Sequence, residues 1–159
     1  MNLCGLREGR IANCLLGVCY RVSVSQEEID CAHMRVALRE AGKAVGLTSP
    51  NPPVGCVIVR AGKIVARGHH RRAGGPHAEI EAMQGLKARV LRGSTIYVTL
   101  EPCQMCAGAL YWSQIGRIVY GASDERRGYE KMGTTLHPKT KVERGILAHE
   151  CEQIMKRFF

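Results

Sequence analysis

The chain has 159 residues, 45% of them hydrophobic and 23% charged, with a formal charge of +9 at neutral pH. That length suits one domain whose core needs no disulfide or metal staple, and no run of 18 apolar residues is present to cross a membrane. The charge is uneven: residues 1–30 hold three basic and four acidic side chains, so the remainder carries +10, a balance that favours nucleic acid, nucleotides or another polyanion as partner.

Residues 1–24 show no steady periodicity and read as an N-terminal extension, disordered or loosely attached, ahead of a domain over 25–159. The apolar stretch 11–20 follows Arg7 and Arg10 as a signal peptide would. It is broken by Asn13 and followed by no small-residue cleavage site. The eight cysteines are scattered except for one close pair, unlike a disulfide framework, so a reducing cytoplasmic location is expected.

Ser25 and Glu28 have the spacing of a capping box and open a helix expected to run to about Val45, with Gly46 as its stop. The proline-rich 49–53 cannot be helical. Val54–Arg60, a turn at Ala61-Gly62, and Lys63–Arg67 form a β-hairpin. A basic glycine-rich loop over 68–75 leads to a helix expected over Pro76–Arg89, with proline in its first turn. Strand Ser94–Thr99, helix Cys103–Ser113 and strand Arg117–Tyr120 follow. A long loop is expected over 121–141, and a last helix from about Ala148. Such alternation places helices on both faces of one sheet and predicts an α/β fold, a three-layer α/β/α sandwich with a central mixed sheet.

Two motifs carry chemistry: Pro76-His77-Ala78-Glu79 and Glu101-Pro102-Cys103-Gln104-Met105-Cys106, each at a helix start. Cys103 and Cys106, at i and i+3, project from one helix face. The helix N-terminus favours their thiolates. Two thiolates and an imidazole are good zinc ligands and leave a fourth position open, the arrangement of a catalytic Zn²⁺ that activates water. His77, beside a carboxylate at a helix start, is the expected third ligand. Glu79, two residues on, is then the catalytic residue that takes a proton from water and delivers it to a leaving nitrogen. Alone, a CxxC pair fits a thiol-redox couple or half of a structural zinc site equally well. The combination with PHAE is far more specific, and no fourth Cys or His stands at suitable spacing for a closed structural site.

These residues resemble the cytidine/deoxycytidylate deaminase superfamily, with its H-x-E and P-C-x-x-C signature. The resemblance covers roughly residues 28–159 and implies a cytidine deaminase-like fold, one zinc per subunit, a homodimer and hydrolysis of an exocyclic amine on a nucleobase. From Ser94 onward, STIYVTLEPCQMCAGALYWSQIGRIVYGASDERRGY is similar to bacterial tRNA-specific adenosine deaminases, which implies that Asp124 lies in a tRNA-contacting loop. SPNPPVGCVIV and RGHHRRAGGPHAEIEAM look more like the pyrimidine deaminase of riboflavin synthesis, which implies Asn51 and His70 as substrate-binding residues. The tRNA enzymes usually carry Asn at the position of His70, whereas the riboflavin enzymes insert residues between their two metal cysteines, where this chain has only Gln104 and Met105.

The leading expectation is a zinc aminohydrolase that converts adenosine to inosine in tRNA. A free base, nucleoside or riboflavin-pathway pyrimidine nucleotide is the alternative substrate, and a non-catalytic zinc-containing RNA-binding domain is the alternative of another class. Retention of Glu79 argues against the last, since structure alone does not need it. The basic residues Arg60, Lys63, Arg67, Arg71 and Arg72 are read either as a solvated rim or as phosphate contacts at the pocket mouth. Tyr111-Trp112 and Phe158-Phe159 are expected in the core or a subunit interface, and Cys56 as a buried small hydrophobe.

Overall fold

The computed structural model describes residues 12–15, 18–21 and 23–157, so Phe158-Phe159 and most of the N-terminal extension lie outside the described residues. Strands β1 (Ala12–Leu15) and β2 (Val18–Arg21) pair antiparallel as a separate two-stranded unit, where the sequence offered no element.

Helix α1 (Gln26–Gly42) begins with the expected capping box. The Glu28 backbone N–H donates to Ser25 Oγ at 3.2 Å, and the Ser25 N–H donates to Glu28 Oε2 at 2.7 Å. It ends three residues before the expected limit, in turns that reach Gly46 at a φ of +82°. Strands β3 (Gly55–Arg60) and β4 (Lys63–His69) form the expected hairpin. The helix expected over 76–89 is two short ones, α2 (Ala78–Met83) and α3 (Ala88–Leu91). The break falls at Gly85, whose φ of +79° is incompatible with helix. Strand β5 (Ser94–Leu100), helix α4 (Gln104–Ser113) and strand β6 (Arg117–Ala122) follow, then β7 (Lys141–Arg144) and α5 (Ala148–Lys156).

The sheet order is β4-β3-β5-β6-β7, antiparallel through β5 and parallel from β5 to β7, which makes it mixed. Alternation along its strands separates two cores. Cys56, Ile58, Ile96, Val98, Ile118 and Tyr120 pack with α2, α3 and α4. Val57, Val59, Tyr97 and Val119 face α1 and α5. The architecture is therefore the three-layer α/β/α sandwich. Close approach of layers is bought by glycine: a Cβ on Gly55 would overlap the backbone of Ala37 and Ala41, and one on Gly68 the backbone of Ala78 and Ala82. An ion pair between the half-buried Arg117 and the buried Asp30 fastens α1 to the sheet. Arg117 donates to both oxygens of Asp30 at 2.7 Å each, and the Tyr97 hydroxyl donates to Asp30 Oδ1 at 2.7 Å. Cys56 is fully buried, whereas Trp112 is 83% exposed and does not belong to the core. Among the described residues, no helix is long and apolar enough to cross a membrane.

Candidate active site

Two helix starts meet on the α2–α4 side of the sheet. His77 is the N-cap of α2, with the extended φ of −68° and ψ of 160°, and Cys103 is the N-cap of α4 at −72° and 170°. Pro76 thus precedes the helix instead of occupying its first turn. Cys106 follows one turn into α4 and is fully buried. His77 Nδ1 lies 3.5 Å from each of the two sulfurs, and one ligand atom from each of the three residues falls within 4.8 Å of the others. Without a metal, hydrogen bonding from the Cys106 thiol lowers Cys103 to about 4, while the same bond and burial raise Cys106. The bond to the Cys103 sulfur also raises His77. The cluster therefore already concentrates negative charge on sulfur beside an imidazole. Two sulfurs and one nitrogen at one point are the donor set zinc selects, and they fit it.

Glu79 sits in the first turn of α2 and is 3% exposed, and burial pushes its carboxyl above the usual range. It shares with His77 and Cys103 a cleft of about 550 Å³, open mouth included. Asn51 and His70 line the same cleft. The imidazole of His70 is 3% exposed and is bonded at both nitrogens, Nδ1 to the Pro76 carbonyl at 2.9 Å and Nε2 to Asn51 Nδ2 at 3.0 Å. Its ring also packs edge-on against His77, with centroids 5.5 Å apart. Asn51 is held by its own backbone as well: its N–H donates to the Thr48 carbonyl at 2.7 Å, and the Thr48 hydroxyl donates to its carbonyl at 2.8 Å.

The remaining wall is the loop after β6. Asp124 lines the cleft, but its Oδ1 accepts the N–H groups of Arg126 and Arg127 at 3.0 and 2.9 Å, so part of that carboxylate shapes the loop. Glu101, given no role from sequence, anchors the same loop. Its two oxygens accept the backbone N–H groups of Asp124 and Glu130 at 3.0 and 3.1 Å. A Cβ on Gly128 would overlap that carboxylate. Arg127 was also not singled out. It is exposed, lines both this cleft and an adjoining one, and makes no side-chain hydrogen bond or ion pair among the described residues. Of the basic hairpin residues, Arg71 pairs with Glu81 at 2.6 Å and Arg60 donates to the Arg89 carbonyl at 2.6 Å, which leaves neither lining the cleft.

Residues 27–122 match the family described as the cytidine and deoxycytidylate deaminase zinc-binding region. A tRNA-specific adenosine deaminase of Streptococcus pyogenes is 39% identical over 140 residues, 79% of this chain and 87% of the relative. Riboflavin biosynthesis protein RibD of Aquifex aeolicus is 38% identical over 143 residues, 83% of this chain but 39% of the relative. The crystal structure of the Thermotoga maritima diaminohydroxyphosphoribosylaminopyrimidine deaminase/reductase superposes with a TM-score of 0.73 at 32% identity, covering 83% of this chain and 40% of that one.

Proposed function

The chain belongs to the cytidine and deoxycytidylate deaminase family of zinc-dependent aminohydrolases, and from that membership we propose that it deaminates adenosine to inosine in tRNA, using His77, Cys103 and Cys106 as zinc ligands and Glu79 as proton carrier. The observation that carries the chemistry is a buried carboxylate, Glu79, in the same cleft as a compact His/Cys/Cys cluster. Zinc in a three-ligand site supplies Lewis acidity and water activated near neutral pH. Glu79 accepts one proton of the attacking water and returns it to the exocyclic nitrogen as the C–N bond breaks and ammonia leaves.

Several features support a polymeric RNA substrate. The similarity to the streptococcal enzyme extends over most of both chains. Arg127, with no side-chain partner among the described residues, stands where the cleft meets a second, solvent-open one lined also by Arg126 and by the acidic Asp124 and Glu125. An unpaired guanidinium beside room for more than a base suits a phosphate. A homodimer is the expected assembly, and the exposed Met105 and Trp112 of α4 are its candidate contact face. A riboflavin-pathway pyrimidine nucleotide is the second reading, favoured by the pairing of the half-buried Asn51 with the buried His70.

Mass spectrometry of products from total tRNA, free nucleosides and pyrimidine nucleotides tests the assignment. Inosine in tRNA is expected, with RNA affinity falling steeply with salt, at a slope of about −0.7 per phosphate contact. Turnover of a small pyrimidine with none on an anticodon stem-loop at low salt would overturn the tRNA assignment and leave the zinc chemistry standing.

A further inference from the structure

The pairing of Asn51 with His70 has a direction. The Pro76 carbonyl can only accept a hydrogen bond, so the proton of the His70 imidazole is on Nδ1. With Nδ1 committed as the donor to Pro76, Asn51 Nδ2 at 3.0 Å from Nε2 makes that ring nitrogen the acceptor and the Asn51 amide N–H its donor. The amide cannot turn over without setting its carbonyl oxygen against that acceptor. Its backbone is pinned through Thr48 on both N–H and carbonyl. Asn51 Oδ1 is thereby left as the free end of the side chain in the cleft. It has no partner among the described residues and is not sealed from solvent.

We propose that His70 is a positioning residue that fixes the polarity of Asn51, so that Asn51 Oδ1 accepts a hydrogen bond from the ribose 2′-hydroxyl of the target nucleotide. The second half rests on the reading of the substrate as adenosine in RNA. The ring nitrogens N1, N3 and N7 of adenine are acceptors and cannot bond a carbonyl oxygen. Within a strand the 3′ and 5′ oxygens are esterified. The donors left on the nucleotide are the 6-amine, which is the reacting group, and the 2′-hydroxyl, the group by which a protein tells RNA from DNA. A pocket with an acceptor fixed there leaves that acceptor unpaired when a deoxynucleotide enters, which is how sites built for a hydroxyl reject the analogue lacking it.

Two measurements test this on the zinc-loaded protein. Imidazole ¹⁵N shifts of His70 should report the Nδ1-protonated tautomer, and a proton on Nε2 would overturn the polarity whatever the substrate. For the wild type, kcat/KM on an anticodon stem-loop should fall about tenfold when the target adenosine alone becomes 2′-deoxyadenosine, the size of one hydrogen bond. Asn51→Ala should keep its zinc and reduce that ratio to within about twofold. His70→Ala should also lose the discrimination. His70→Gln, whose amide can donate to Pro76 and accept from Asn51, should keep it. Equal turnover of the two stem-loops by the wild type would overturn the 2′-hydroxyl contact. If no stem-loop reacts, it is the substrate reading that fails, and the test becomes cytidine against 2′-deoxycytidine and 3′-deoxycytidine. Loss with either analogue then upholds a donor-reading Asn51, and equal rates overturn it.

Discussion

His77 and Cys103, 26 residues apart, are each the residue that caps a helix, and the two helix starts face one another so that Nδ1 and Sγ stand 3.5 Å apart. Neither side chain caps its own helix. Both are free to turn outward to a common point, where the partial positive charge of the helix ends steadies sulfur as thiolate.

Zinc should therefore bind at one ion per chain. Elemental analysis of the purified protein and of Cys103→Ser and His77→Ala should find about one equivalent in the wild type and well under half in each variant. Chelation should abolish deamination and added zinc restore it. An active protein free of metal would remove the basis for these ligand assignments.

Glu79→Gln separates proton transfer from metal binding. The variant should hold its zinc and lose at least ~10²-fold in kcat, the usual size of a lost general acid–base. Steady-state rates close to wild type would assign the proton transfer elsewhere.

Gly128→Ala probes the loop clasp. The added Cβ would overlap the Glu101 carboxylate, which already holds the Asp124 and Glu130 N–H groups. Freeing one of those buried bonds costs about 1–3 kcal/mol. Zinc content should be unchanged and KM should rise about tenfold or more, with a smaller effect on kcat. An unchanged KM would show that the loop does not wall the bound substrate.

Asp30 links stability to pH. Burial acts to raise its carboxyl, but the hydrogen bonds from Arg117 and Tyr97 outweigh it and hold the group below the ordinary carboxylate value. A depressed folded value means stabilisation that is complete above the unfolded pKa of about 3.9 and lost as pH falls through the lower folded one. Asp30→Asn should cost about 3 kcal/mol at neutral pH, the lower end for a broken buried pair because Arg117 keeps 20% of its side chain exposed. Denaturant melts of the two proteins should converge toward pH 2. A constant offset across that range would exclude the ionised pair as the cause.

What could be read from sequence was local. The Ser25–Glu28 box lies within four residues, and β3, β5 and β6 announce themselves as short apolar runs rich in β-branched residues, buried on both faces. Strand β7 did not, because Lys-Val-Glu-Arg on a sheet edge buries only part of Val142 and has no apolar face to show. The single helix expected over 76–89 fails at Gly85, a residue a helix tolerates unless the chain must turn there, and that need comes from the packing. The convergence of His77, Cys103 and Cys106 was legible because both halves are short motifs at helix starts. The task of Glu101 was not, since its two bonds reach 23 and 29 residues ahead and depend on where the β6 loop folds back. Arg127 was hidden in the same way: its place at the cleft without a side-chain partner among the described residues is set by packing.

The clasp at Glu101 also divides the β6 loop into two kinds of position. Asp124 and Gly128 are tied to the strand end that runs into Cys103, so change there disturbs the chemistry. Residues 125–127 between them are exposed side chains that rim the outer cleft. Substitutions at these three sites would change that rim while sparing Glu79 and the His77/Cys103/Cys106 cluster, to which none of the three belongs. An ancestral deaminase built this way could diversify toward new amine-bearing substrates by surface substitutions alone, its reactive centre inherited intact.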